Sequence, residues 1–118
     1  MYRFGLERQG FAVTVLSHAD DLNDQVEALR PDIVVLDWDL PGVKGDEALE
    51  RLRETDRGLL VPVFMLSNFP GTSDGAIDRA FRAGAVAWLQ KVRTTPSQLA
   101  EKIAEAVGFG RYQVADAG

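Results

Sequence analysis

Two short runs, DIVVLD (Asp32 to Asp37) and VPVFML (Val61 to Leu66), are apolar almost throughout, and each leads into polar loop residues. A strand with one wet face alternates apolar and polar residues. A short run without that alternation suits a strand covered on both faces. The stretches between such runs have helical spacing instead. HADDLNDQVEALR places Leu22, Val26 and Leu29 on one face, with Asp20 or Asp21 as its cap and Pro31 as its stop. DEALERLRE turns Ala48, Leu49 and Leu52 inward, and GAIDRAFRA reads as a further helix closed by Gly84. FAVTVL (Phe11 to Leu16) and VAWLQ (Val86 to Gln90) supply two more strands. A last helix runs from about Thr95 to Val107, with Thr95 as cap, Pro96 in the first turn, and Leu99, Ile103 and Val107 on one side. Strands alternating with helices at this rhythm mean parallel strands joined by right-handed crossovers. The expected fold is an α/β, doubly wound parallel sheet.

Composition narrows the function classes. With 118 residues, the chain is expected to form one domain, residues 1–118, and 46% hydrophobic content is enough for a core. There is no cysteine, which excludes disulfides and thiolate chemistry. A net charge of −5 without a Lys/Arg cluster argues against direct nucleic-acid binding. The longest apolar run, Leu59 to Leu66, is interrupted by Pro62 and far too short for a membrane span. The N-terminus lacks the basic-then-apolar order of a secretion signal. A soluble cytoplasmic domain without membrane or nucleic-acid partners is expected.

In doubly wound sheets, function gathers at the carboxyl ends of the strands. Here those ends carry Asp37 with Asp39, Ser67 with Asn68, and Lys91 after a strand containing Trp88. A carboxylate beside an ammonium and a hydroxyl can attack a phosphoryl group. Lys91 would then act as a point charge and Ser67 as a hydrogen-bond donor to the new phosphoryl oxygens. Each residue also has a plainer reading: Asp37 as a strand-end cap or ion-pair partner, Ser67 as a loop hydroxyl serving the backbone, Lys91 as a solvated charge, Trp88 as core and Asp39 as a wet loop residue.

The order of these residues resembles the receiver domain of two-component response regulators, over about residues 11–107. Asp37 ends an apolar strand and is followed by Pro41 and Gly45, as around that family's phosphoacceptor aspartate. Ser67 ends the next strand, where the family has its switch hydroxyl. Lys91 ends the last, preceded by Gly84-Ala85 and by Trp88 at the place of the aromatic switch residue. The resemblance implies a flavodoxin-like receiver fold, with Asp37 accepting a phosphoryl group from a histidine kinase or phosphotransfer protein. It implies a stand-alone, non-enzymatic signalling module with an unidentified output protein, responding through its last strand and helices. The other reading is a degenerate receiver that works as an interaction or dimerisation module without phosphorylation.

Three departures bear on what the resemblance implies. Val92 follows the lysine where the family has a proline in a cis peptide, so this loop is expected to run trans. Asn68 stands where a small residue is usual. The N-terminal YRFGLERQGF matches the latter half of the family's first helix, so the central first strand and its magnesium-binding acidic pair are missing from the N-terminus. Asp20-Asp21 cannot replace that pair, because they follow a different strand. A middle strand cannot simply be omitted from a sheet. The candidates to fill the gap are the tail, residues 108–118, where RYQVADA alternates Tyr112 and Val114 with polar residues, or a partner chain in a segment-swapped homodimer. The tail would also bring Asp116 toward the site. Magnesium, expected from the family, would then have Asp37, the backbone carbonyl of Asp39 and Asp116 as ligands, and would bind weakly.

Overall fold

In the computed structural model of the chain, residues 2–15, 21–39, 44–68, 75–107 and 113–117 are described, except for the side chains of residues 15, 113, 116 and 117. The elements in chain order are α1 (Arg3–Arg8), β1 (Ala12–Val15), α2 (Leu22–Leu29), β2 (Ile33–Asp37), α3 (Gly45–Leu52), β3 (Val63–Ser67), α4 (Ala76–Arg82), β4 (Ala85–Gln90), α5 (Pro96–Val107) and β5 (Gln113–Ala117). The strands form one five-stranded sheet in the order β1-β5-β2-β3-β4, with every neighbouring pair parallel.

The two apolar runs become β2 and β3, and both are buried along their whole length. Side chains of alternating parity pack on opposite faces, as the pleat demands. Val34 and Leu36 meet Leu22, Val26, Leu49 and Leu52 of α2 and α3 on one side. Ile33 and Val35 meet Leu6 of α1 and Leu99 and Ile103 of α5 on the other. The helices thus cover both faces, as a doubly wound sheet requires.

The tail fills the central gap. β5, the last strand in sequence, lies second from one edge of the sheet, between β1 and β2, pairing with both. Val114 pairs with Val13 on one side and Ile33 on the other. Val114 and Ala115 are buried, one toward each layer of helices. Ala115 is a weak strand former, yet a strand paired on both edges takes its conformation from its neighbours. Tyr112 and the two glycines of the connection, Gly108 and Gly110, lie outside the described residues.

Helix ends follow the sequence signals with one exception. The Thr95 hydroxyl accepts the Gln98 N–H at 3.1 Å, while the Gln98 side chain accepts the Thr95 N–H at 2.8 Å. This is a complete capping box ahead of Pro96. Asp21, in contrast, makes no side-chain cap for α2. Its backbone is already helical (φ −84°, ψ −12°), whereas a capping side chain needs an extended residue to reach the next turn. Asp20 lies outside the described residues. At the far end of α2, Arg30 takes a left-handed φ of 49° just before Pro31.

Candidate functional site

Parallel strands deliver their last residues to one edge of the sheet. Asp37 of β2 pairs with Leu66 of β3, and Ser67 pairs with Gln90 of β4. Asp37, Ser67 and Lys91 therefore stand side by side at the carboxyl ends of three adjacent strands, Lys91 directly after β4. Asp37 is 8% exposed and Ser67 is fully buried. The Lys91 ammonium donates directly to the Asp37 carboxylate, and both side chains are largely shielded from water. The other Asp37 oxygen accepts the backbone N–H of Asp39 at 2.9 Å. A carboxylate with one charged and one backbone donor is held in one orientation, with its charge offset.

Gly45 brings α3 against this edge. A Cβ there would stand 2.6 Å from Trp38 Cα and 2.8 Å from the Asp37 carbonyl oxygen. Its N–H donates to the Trp38 carbonyl at 2.7 Å. Only glycine allows the helix to begin so close to the strand end. Pro41, between them, lies outside the described residues.

Trp88 packs on Trp38 rather than on Asp37, with ring centroids 6.1 Å apart and planes tilted by 52°. Neither indole N–H has an acceptor among the described residues, although both are buried. An unpaired buried donor costs about 1–3 kcal/mol. Lys44 lies over the Trp38 ring, 4.7 Å from its centroid, and reaches Asp39 at 3.5 Å. Sequence reading singled out Trp88 but not Trp38 or Lys44. The period of two in DIVVLDW does place Trp38 on the face of Leu36, but its meeting with Trp88 is set by strand pairing fifty residues apart. Also missed was Asp46, which is buried and paired with Arg79 at 2.8 Å, joining α3 to α4.

The ligand set for a divalent cation is thin. Among the described residues no three acidic or histidine side chains gather. Both oxygens of the Asp37 carboxylate, at the end of β2, already accept hydrogen bonds. Asp116 pairs through its backbone with Val35, on the strand next to Asp37, and its side chain lies outside the described residues. A magnesium ion needs near-octahedral oxygen ligation, and the described donors alone do not fit it. After Lys91, residues Lys91–Arg93 form one 3₁₀ turn, and no peptide among the described residues is cis.

The sequence profile described as the response regulator receiver domain matches residues 1–104. The chain belongs to that family. It is 32% identical over 100 residues to the phosphate regulon transcriptional regulatory protein PhoB of Rhizobium meliloti (strain 1021), covering 85% of this chain and 43% of PhoB. The receiver thus spans less than half the length of that relative. A two-component response regulator of the LuxR family from Aurantimonas sp. SI85-9A1 superposes with a TM-score of 0.76 at 32% identity, over 95% of this chain and 77% of that one. The receiver domain of sensor histidine kinase PA1611 from Pseudomonas aeruginosa PAO1 superposes with a TM-score of 0.75 at 23% identity, over 90% and 84% of the two chains. That structure is described with a magnesium ion in its active site cleft; at this identity the likeness concerns the fold. Receivers are signalling modules of two-component systems, and the doubly wound sheet seen here is theirs. No helix among the described residues is long and apolar enough to cross a membrane.

Proposed function

We propose that this receiver accepts a phosphoryl group on Asp37 from a histidine kinase or phosphotransfer protein. The observation that carries this reading is the shielded contact between the Asp37 carboxylate and the Lys91 ammonium at the strand edge, with Ser67 at the end of the next strand. An Asp37 oxygen attacks the phosphorus of a phosphohistidine; a P–O bond forms, the P–N bond breaks, and the imidazole leaves and takes up a proton. Lys91 then offsets charge on the acyl phosphate, and Ser67 donates to a phosphoryl oxygen. Trp88 is the switch side chain. Its indole N–H lacks an acceptor where it stands, which lowers the cost of moving it. Its displacement would alter β4, α4 and α5, the surface offered to an output protein.

Residues 1–118 act as one receiver unit in this reading, without enzyme activity beyond taking up and losing the phosphoryl group. Asp37, the Asp39 carbonyl and Asp116 are the candidate magnesium donors, and binding is weak. The sparse donor set favours one other reading, an interaction or homodimerisation module that works without phosphorylation. Intact mass after incubation with a small acyl phosphate decides between them. The first reading expects one added phosphoryl mass, lost in Asp37→Asn; no adduct with any donor, and no response to beryllofluoride, selects the second.

A further inference from the structure

Lys91 opens the 3₁₀ turn between β4 and α5. Val92 within that turn is 75% exposed, so the turn has no apolar anchor of its own. Hydrogen bonds hold it instead. The Thr94 hydroxyl donates back to the Gln90 carbonyl at 2.8 Å, and the Thr94 N–H donates to the Lys91 carbonyl at 3.3 Å. From the opposite end of the chain, the Tyr2 hydroxyl donates to the Thr94 carbonyl at 2.8 Å, with the Lys91 carbonyl 3.3 Å away.

Tyr2 has little freedom to do otherwise. It is 3% exposed and belongs to the same apolar cluster as Leu6, Leu99 and Ile103. The helix that follows it is pressed onto the turn side of α5. An ideal Cβ on Gly5 would lie 2.1 Å from Pro96 Cβ, so the backbone of α1 sits directly against the Pro96 ring at the start of α5. A buried ring in a close-packed site thus presents one hydroxyl to two carbonyls of the lysine turn.

We infer that Tyr2 is a positioning residue for Lys91: its hydroxyl fixes the Lys91–Thr94 backbone and so keeps the ammonium against Asp37. The inference rests on the reading of Asp37 as phosphoacceptor. Lysine has a long flexible stem, and its ammonium is confined only as well as the backbone that carries it. A small misplacement of a charge at a reacting centre is costly in rate. Tyr2→Phe keeps the ring and removes the contact. We expect phosphorylation by a small acyl phosphate to slow about fivefold, the worth of one ordinary hydrogen bond.

A purely structural role for Tyr2 would lower stability without touching the lysine, so the decisive readout is the lysine itself. The chain has only three lysines, and Lys44 and Lys102 are exposed. The exchange-protected ammonium signal in a proton–nitrogen spectrum of the unphosphorylated protein therefore belongs to Lys91. Tyr2→Phe is expected to speed its exchange with water and to slow phosphorylation. Gly5→Ala, which forces α1 off Pro96, is expected to do the same. Arg3→Ala, which breaks only the exposed pair with Glu7, is expected to do neither. Unchanged Lys91 exchange in Tyr2→Phe overturns the inference, whatever the phosphorylation rate does. If the wild type takes no phosphoryl group while Tyr2→Phe still frees the ammonium, the Asp37 reading fails and the positioning role stands.

Discussion

Val114 occupies the most demanding position in the fold, because it is buried in a strand whose two neighbours are β1 and β2. Val114→Ala removes two methyl groups from a side chain that is 1% exposed. At about 0.8 kcal/mol per buried carbon, the transfer loss is about 1.6 kcal/mol, and the cavity left behind raises the cost to roughly 2–3 kcal/mol. For a domain of this size that lowers the melting temperature by about 10 °C. Val86→Ala on the edge strand is the control. Val86 is 51% exposed, and its truncation should cost well under 1 kcal/mol, as surface changes ordinarily do. Removing residues 113–118 altogether is the stronger perturbation. β5 pairs with four residues of β1 and four of β2, and their backbone groups would be left facing an empty slot. At about 1–3 kcal/mol for each buried unpaired group, a handful of them matches a typical total stability of about 5–15 kcal/mol. The shortened protein should lose its cooperative thermal transition by circular dichroism. Adding a peptide of residues 108–118 should restore it, since a ligand that binds only the folded state stabilises that state. A shortened protein that melts cooperatively at the wild-type temperature would refute the central placement. So would a Val114→Ala variant no less stable than Val86→Ala.

Two further outcomes follow from other parts of the molecule. The Arg53 guanidinium donates to the carbonyls of Gly58, Leu59, Val61, Ala83 and Gly84, tying the loops before β3 and β4 together, and burial pushes its pKa below the ordinary value. Arg53→Ala should cost about 3 kcal/mol in urea unfolding, allowing for the exposed part of the group, and Arg53→Lys should recover little because lysine lacks the planar fork. Magnesium titrated against the fluorescence of Trp38 and Trp88 should saturate only at high concentration; saturation at micromolar metal would contradict the sparse donor set described above.

The elements that announce themselves in the sequence are those whose signal is local. Unbroken apolar runs marked β2 and β3, and Thr95-Pro96 with Gln98 marked the start of α5, because caps and buried runs are written within a few residues. The edge that joins Asp37, Ser67 and Lys91 was also legible, since parallel strands force their carboxyl ends together. What stayed hidden depends on distant pairing. Trp38 meets Trp88 because β2, β3 and β4 lie side by side, with a register shift between β3 and β4 that no local pattern announces. The Tyr2 hydroxyl reaches a carbonyl 92 residues away, and nothing around Tyr2 in the chain marks it. Asp21 misled for the opposite reason: a good capping residue type sat on a backbone that was already helical.

The central strand shows how far spatial order can part from chain order without disturbing the site. α1 and α5 pack against each other on the face that receives Val114, while α2 and α3 line the face that receives Ala115. The slot between β1 and β2 is therefore shaped by helices from both ends of the sequence. Asp37 and Ser67 end β2 and β3 and Lys91 directly follows β4, and of these three strands only β2 pairs with β5. The acid that β5 carries is Asp116, whose backbone pairs with Val35, two residues before Asp37. The carboxylate–ammonium contact joins the end of β2 to the turn after β4, and Tyr2 and Thr94 hold that turn. Loosening β5 with Val114→Ala should therefore leave the Lys91 ammonium protected from exchange, because the contacts that hold it among the described residues come from Tyr2, Thr94 and Asp37; faster exchange of that signal would refute this.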